Sequence, residues 1–200
     1  MPRMSRCFRS FLGLLSCLAA AATLTVSAAP GAGAETYRHR DATRDVWHVD
    51  QFDDHSMARS DRVGDIQRFR ARLGSRKLVL RVSYREIRST GREVQYWFFK
   101  GVPGIYGVEY SMKDKSVMIY DEMGFYPVCQ GSSVVINTVK DLSIAKIPVT
   151  CLNSPARIKV TPLFRAWYAP SGPLYQSFDM GTFNGYPGDR TKYSPWIAAG

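Results

Sequence analysis

Ile66-Gln67-Arg68-Phe69-Arg70-Ala71-Arg72-Leu73, then Gly74-Ser75-Arg76, then Lys77-Leu78-Val79-Leu80-Arg81-Val82-Ser83-Tyr84-Arg85 is the stretch that decides the fold class. In its first run Phe69, Ala71 and Leu73 alternate with Arg68, Arg70 and Arg72. In its second run Leu78, Leu80, Val82 and Tyr84 alternate with Val79, Arg81, Ser83 and Arg85. A period of two sends successive side chains to opposite faces of an extended chain. The stretch therefore predicts a β-hairpin with one buried face and one basic face.

The same short-run pattern continues outward. Further strands are expected at Glu93 to Phe99, Ile105 to Met112, Ser116 to Tyr120, Ser133 to Asn137, Leu142 to Ile147 and Ala156 to Trp167. Breaks fall at Gly91, Gly101 to Gly104, Lys113-Asp114, Gly124, Gly131, Asn153 to Pro155 and Pro170 to Pro173. No stretch keeps a helical period over three turns, and no internal repeat occurs. Short strands at this spacing predict an all-β, antiparallel β-sandwich of jelly-roll type. From about residue 172 the Gly-, Pro-, Tyr- and Ser-rich chain predicts irregular coil, with one more strand around Leu174 to Phe178.

The N-terminus predicts export. Arg3, Arg6 and Arg9 form a positive region, and Phe11 to Val26 is apolar or small. Ala32-Gly33-Ala34 is a small-x-small cleavage pattern, so residues 1–34 read as a signal peptide cut before Glu35. Val26-Ser27-Ala28 is a second cut. The run falls short of the about 20 apolar residues a membrane anchor needs. Leu14-Leu15-Ser16-Cys17 only loosely resembles a lipobox. No later segment reads as a membrane span, so the mature chain, 35–200, is expected to be one secreted, soluble domain.

Cys7 and Cys17 leave with the signal, and Cys129 and Cys151 survive. Two cysteines in an exported chain argue for a bridge between them. It would close a loop of about 22 residues and contribute about 3 kcal/mol in the chain-entropy account. The chain's formal charge is +10, and all three leader charges are arginines. The mature part stays strongly basic and favours anionic partners.

Other residues carry a resemblance. Asp41, Asp45-Val46, Asp65-Ile66, Ile147-Pro148-Val149-Thr150-Cys151-Leu152, Pro155, Ile158-Lys159-Val160 and Lys192-Tyr193-Ser194-Pro195-Trp196 together resemble a group of small secreted actinobacterial proteins. That group is similar in outline to family 9 carbohydrate-binding modules and DOMON-type domains. The resemblance implies a β-sandwich, export and a Cys129–Cys151 bridge. The family-9 link further implies an aromatic sugar-binding cleft and bound calcium, without assigning either to residues. It carries over no catalytic residue.

Four sets of residues bear on function. For catalysis, the mature chain's histidines are His39, His48 and His55, and no nucleophile elbow, zinc-protease, phosphate-loop or dinucleotide motif occurs. A hydrolase needs only a carboxylate pair, so that alternative stays open. Asp41, Asp45, Asp50, Asp53 and Asp54 concentrate acid in a basic chain. Their oxygens suit Ca²⁺, although the spacing is not that of an EF-hand, and a solvated loop pairing with arginines is the plainer reading. Arg68, Arg70, Arg72, Arg81 and Arg85 should project from one side of the hairpin, two residues or about 6.6 Å apart along a strand. Such a ladder suits the phosphates or carboxylates of an extracellular or cell-wall polymer. It also suits a solvated face whose arginine stems cover apolar neighbours. Finally, Trp97, Trp167 and Trp196 are the candidates for an exposed sugar platform, with core packing as the competing role.

The expectation is a non-enzymatic module binding a glycan or anionic glycopolymer. The alternatives are a hydrolase or a domain that binds another secreted protein. Export argues against a nucleic-acid partner.

Overall fold

The computed structural model describes residues 34–49, 55–88, 90, 92–121, 123–127, 130–168, 175–181 and 192–200. These form an all-β antiparallel sandwich of two sheets. In chain order the strands are β1 (Thr36–Arg40), β2 (Trp47–Val49), β3 (His55–Met57), β4 (Ile66–Leu73), β5 (Lys77–Tyr84), β6 (Glu93–Lys100), β7 (Gly107–Ser111), β8 (Ser116–Asp121), β9 (Gly124–Pro127), β10 (Ser133–Asn137), β11 (Leu142–Pro148), β12 (Arg157–Tyr168), β13 (Tyr175–Met180) and β14 (Ile197–Ala198). One 3-10 turn, Val149–Leu152, follows β11. Among the described residues no helix is long and apolar enough to cross a membrane.

The first sheet runs β1-β4-β5-β11-β10 and the second β3-β2-β13-β12-β6-β7-β8-β9, with β14 pairing β12. The chain changes sheet after β1, β3, β5, β9 and β11. The β4–β5 hairpin is the one its alternation predicts. Phe69, Ala71, Leu73, Leu78, Leu80, Val82 and Tyr84 all lie in the core. A slip of one residue would drive Arg68, Arg70 and Arg72 into that core, so burial itself fixes the register.

One irregularity interrupts the hairpin. Ile66 pairs with Tyr84 and Arg68 with Ser83, so Gln67 is an extra residue, a β-bulge. Ile66 and Phe69 are three apart, yet both side chains point inward. The bulge makes this compatible with a period of two, and it re-aims the local backbone. The Ile66 N–H leaves the β4–β5 ladder and donates to the Asp179 carboxylate on β13 of the opposite sheet. Just before it, Gly64 has φ +81 and sits under the Phe164 ring, where a Cβ would overlap that ring. This bend requires glycine.

The second sheet contributes Trp97, Phe99, Val108, Ile158, Val160, Phe164 and Ala166 to the shared core. Each large side chain so buried stabilises the fold by about 1.5–3 kcal/mol. Trp97 lies on the inward parity of β6 and is 0% exposed. It is therefore a core residue and no sugar platform, which corrects the expectation. β13 lies at the strand expected around Leu174 to Phe178, and the tail otherwise expected to be coil also carries β14. Residues 192–196 have no regular structure, and the remainder of that stretch lies outside the described residues.

Candidate functional site

The outer face of the first sheet is the most distinctive surface. β1 pairs with β4 so that Arg38 faces Arg70 and Arg40 faces Arg68. β4 pairs with β5 so that Arg70 faces Arg81. β11 brings Lys146 opposite Val79, itself opposite Arg72. Outward positions thus carry Arg38, Arg40, Arg68, Arg70, Arg72, Lys77, Arg81 and Lys146, all exposed. None of the five strands contains an acidic residue. None of Arg38, Arg68, Arg70, Arg72, Arg81 and Lys146 forms an ion pair with any described residue.

Neighbouring strands lie about 4.8 Å apart, so Arg38, Arg70 and Arg81 form a row of guanidinium groups running across three strands. Two hollows open between them. One, of about 320 Å³, is lined by Arg38, His39, Arg68, Phe69, Arg70, Arg81 and Ser83. The next, of about 300 Å³, is lined by Arg70, Arg72, Val79, Arg81, Ile144 and Lys146. They share Arg70 and Arg81; the second has an apolar floor of Val79 and Ile144 beneath its cationic rim, whereas Phe69, behind the first, turns its side chain into the core. Burial lowers the basicity of His39 beside the first hollow.

Arg68, Arg70, Arg72 and Arg81 stand together as the alternation predicts, and Arg85 does not join them. Beyond the end of β5 its Nη1 donates to Asp65 Oδ2 at 3.0 Å, and its side chain is half-buried. The buried carboxylate just before β4 captures it, so Arg85 is corrected from ladder to ion pair. Arg38, Arg40, Lys77 and Lys146 were missed. The Thr-Tyr-Arg-His-Arg run of β1 carries the period-two signal, but it is too short to stand out unaided.

The two remaining candidate tryptophans, Trp167 on β12 and Trp196 packed against β12, lie at the second sheet, away from the basic face. Trp167 is half-buried and the Arg165 guanidinium lies over its ring at 4.6 Å. Trp196 is 39% exposed and rests over Gly101, where φ is +85. Arg157 and Lys159 cover its ring at 4.4 and 5.2 Å. Lys159 and Trp167 are eight residues apart on one strand, about 26 Å, so Trp167 and Trp196 do not make one platform.

The acids divide differently. Asp50, Asp53 and Asp54 lie outside the described residues. Asp41 and Asp45, on the β1–β2 connection, meet Asp179 of β13, with one oxygen from each lying within 4.8 Å of the others. All three are buried, as is Asp65. Sequence reasoning missed Asp179 and Asp65 because nothing local marks them; the pairing of distant strands brings them in. Burial, then the neighbouring carboxylates, pushes Asp41 up to about 8. Asp45 is pushed up to about 6, chiefly by burial. Burial also raises Asp179 well above the ordinary carboxylate range and raises Asp65. Asp61 differs. Although burial opposes it, hydrogen bonds from His48 (2.9 Å) and the Val63 N–H hold its carboxyl below the usual value.

No family model matches this chain, and no curated protein is a significant match to it.

Proposed function

We propose that this protein is a secreted, non-enzymatic module that binds an anionic extracellular polymer along the outer face of its first sheet. The observation that carries the reading is the acid-free array centred on Arg38, Arg70 and Arg81. Like charges directly opposite one another across strands cost stability. Five cations (Arg38, Arg68, Arg70, Arg72 and Arg81) packed without a counter-charge among the described residues are accounted for if an outside anion supplies it. The repeats of about 4.8 Å across the strands and about 6.6 Å along them suit a chain of regularly spaced phosphates or carboxylates. Arginine forks hold both in paired hydrogen bonds. The apolar floor of the second hollow, Val79 with Ile144, suits the less polar face of a sugar ring lying between the charges.

Export and the disulfide belong to the same reading. Cys151 is buried in the 3-10 turn, and its Sγ lies 3.7 Å from Ser132 Oγ. The segment just after Cys129 therefore passes against Cys151, as a Cys129–Cys151 bridge requires, although Cys129 itself lies outside the described residues. The hydrolase alternative gains nothing, because the carboxylates that the fold gathers are buried inside the sandwich.

Titration of the purified protein with wall teichoic acid, a polyuronate, inorganic polyphosphate and a neutral glucan tests the proposal. Salt-sensitive binding to the anionic polymers, lost in the Arg70→Ser/Arg81→Ser variant, is expected. Binding that favours the neutral glucan, or that survives the double substitution, refutes it.

A further inference from the structure

Buried carboxylates stay ionised in a protein interior only when something positive answers them. Around Asp41, Asp45, Asp179 and Asp65 the hydrogen bonds show a repeated division of labour. Asp41 Oδ1 accepts from the Ala42 N–H at 3.0 Å, and Asp41 Oδ2 has no partner. Asp179 Oδ2 accepts from the Ile66 N–H, and Asp179 Oδ1 has none. Asp65 Oδ2 accepts from the Arg44 N–H at 3.0 Å and from Arg85, while Asp65 Oδ1 has none. Neither oxygen of Asp45, 5% exposed, has a hydrogen-bond partner among the other described residues.

In each of Asp41, Asp65 and Asp179 one oxygen is thus tied to backbone and the other left free. That is how outer hydrogen bonds orient the ligands of a metal. Without a cation these oxygens can answer one another only where burial keeps a carboxyl protonated to donate, whereas a bound cation would answer all of them as ionised acceptors. Oxygens on opposite sides of a Ca²⁺ ion lie up to about 5 Å apart, since each bond is about 2.3–2.6 Å. The mutual 4.8 Å limit on Asp41, Asp45 and Asp179 meets that geometry. Asp65 lies close enough for its charge to act on all three.

We infer that Asp41, Asp45 and Asp179 bind one Ca²⁺ ion inside the sandwich, with Asp65 completing its negative surroundings. The donors are oxygen alone, which selects a hard cation. Mg²⁺ keeps several waters, and such a buried pocket does not favour it. The ion ties the β1–β2 connection, where the chain passes from the first sheet to the second, to β13 of the second sheet. The φ of +69 at Arg44 turns that connection back over Asp65. This site does not depend on which polymer the basic face binds.

The test is titration of EDTA-treated protein with CaCl₂, followed by calorimetry and thermal melting. Expected are one ion per chain and a Tm raised by about 5–10 °C when calcium stands at a hundred times its Kd. Asp45→Asn and Asp179→Asn should abolish the shift, and Asp114→Asn should keep it. In EDTA the Asp45→Asn protein should melt above the wild type, because a like charge is gone; in calcium it should melt below. Identical melting in EDTA and in about 5 mM CaCl₂, above the affinity range of extracellular calcium modules, with no heat of binding, overturns the inference. A larger response to MgCl₂ overturns the choice of calcium. Where a variant fails to fold, the wild-type titration decides alone.

Discussion

Arg70 is the residue at which a binding role and a structural role predict opposite signs. It faces Arg38 on one side and Arg81 on the other, with Arg68 and Arg72 flanking it along its own strand. Two unit charges about 6 Å apart in water repel by about 0.7 kcal/mol. Physiological salt, with a screening length of about 8 Å, roughly halves that. Summed over its two cross-strand neighbours, Arg70→Ser should therefore relieve about 1.4 kcal/mol at low ionic strength and about 0.7 kcal/mol in physiological salt. For a chain of this size that raises Tm by about 3–6 °C at low ionic strength, and the gain should vanish in high salt. Binding should move the other way. With polyphosphate as the probe, and counter-ion release of the size seen for single-stranded nucleic acid, each lost contact lowers the slope of log K against log salt by about 0.7. Melting by circular dichroism at low and high NaCl, alongside salt-dependent binding isotherms, reads both. A variant that melts several degrees lower at low salt would show that Arg70 is held for its packing stem. An unchanged slope would show that the face does not bind.

Four further outcomes follow from particular contacts. Trp97→Ala, at a fully enclosed site between the sheets, should cost about 3–5 kcal/mol; a small loss in a denaturant titration would contradict its central place. Gly64→Ala should destabilise severely, because a left-handed backbone and the Phe164 ring both exclude a Cβ; wild-type expression and melting would refute that. Cys151→Ser should cost about 2–5 kcal/mol if the bridge to Cys129 forms, and thiol titration of the native protein should find neither cysteine. Asp61 has its carboxyl held below the ordinary range in the folded state. It therefore adds stability above the unfolded value near pH 4, and that stability is lost as pH falls through the lower folded value. Melting from pH 6 down to about 2.5 should show a steeper acid loss in wild type than in Asp61→Asn; parallel curves would remove the His48–Asp61 bond as the cause.

The hairpin was legible because its signal is local. Alternating arginine and apolar residues from Ile66 to Tyr84 specify strands, faces and register together, since any slip buries charge. Strands of similar patterning, from Glu93 to Trp167, were legible for the same reason. β2, β3, β9 and β14 are two to four residues long, too short to complete a period, and only their partners make them strands. The bulge at Gln67 was equally hidden, because it resolves a conflict between Ile66 and Phe69 that exists only once both must point inward.

By itself, then, the sequence determined the all-β class and the basic face, because both follow from a period of two along single strands. Tertiary structure alone decided which residues share a site. Trp97 went to the core through its parity on β6, Arg85 was captured by Asp65, and Asp179 came to Asp41 and Asp45 from more than a hundred residues away. The physical reason is common to all three. A side chain's face is set by its own strand, but its partners are set by sheet order and by the stacking of one sheet on the other, which no local pattern encodes.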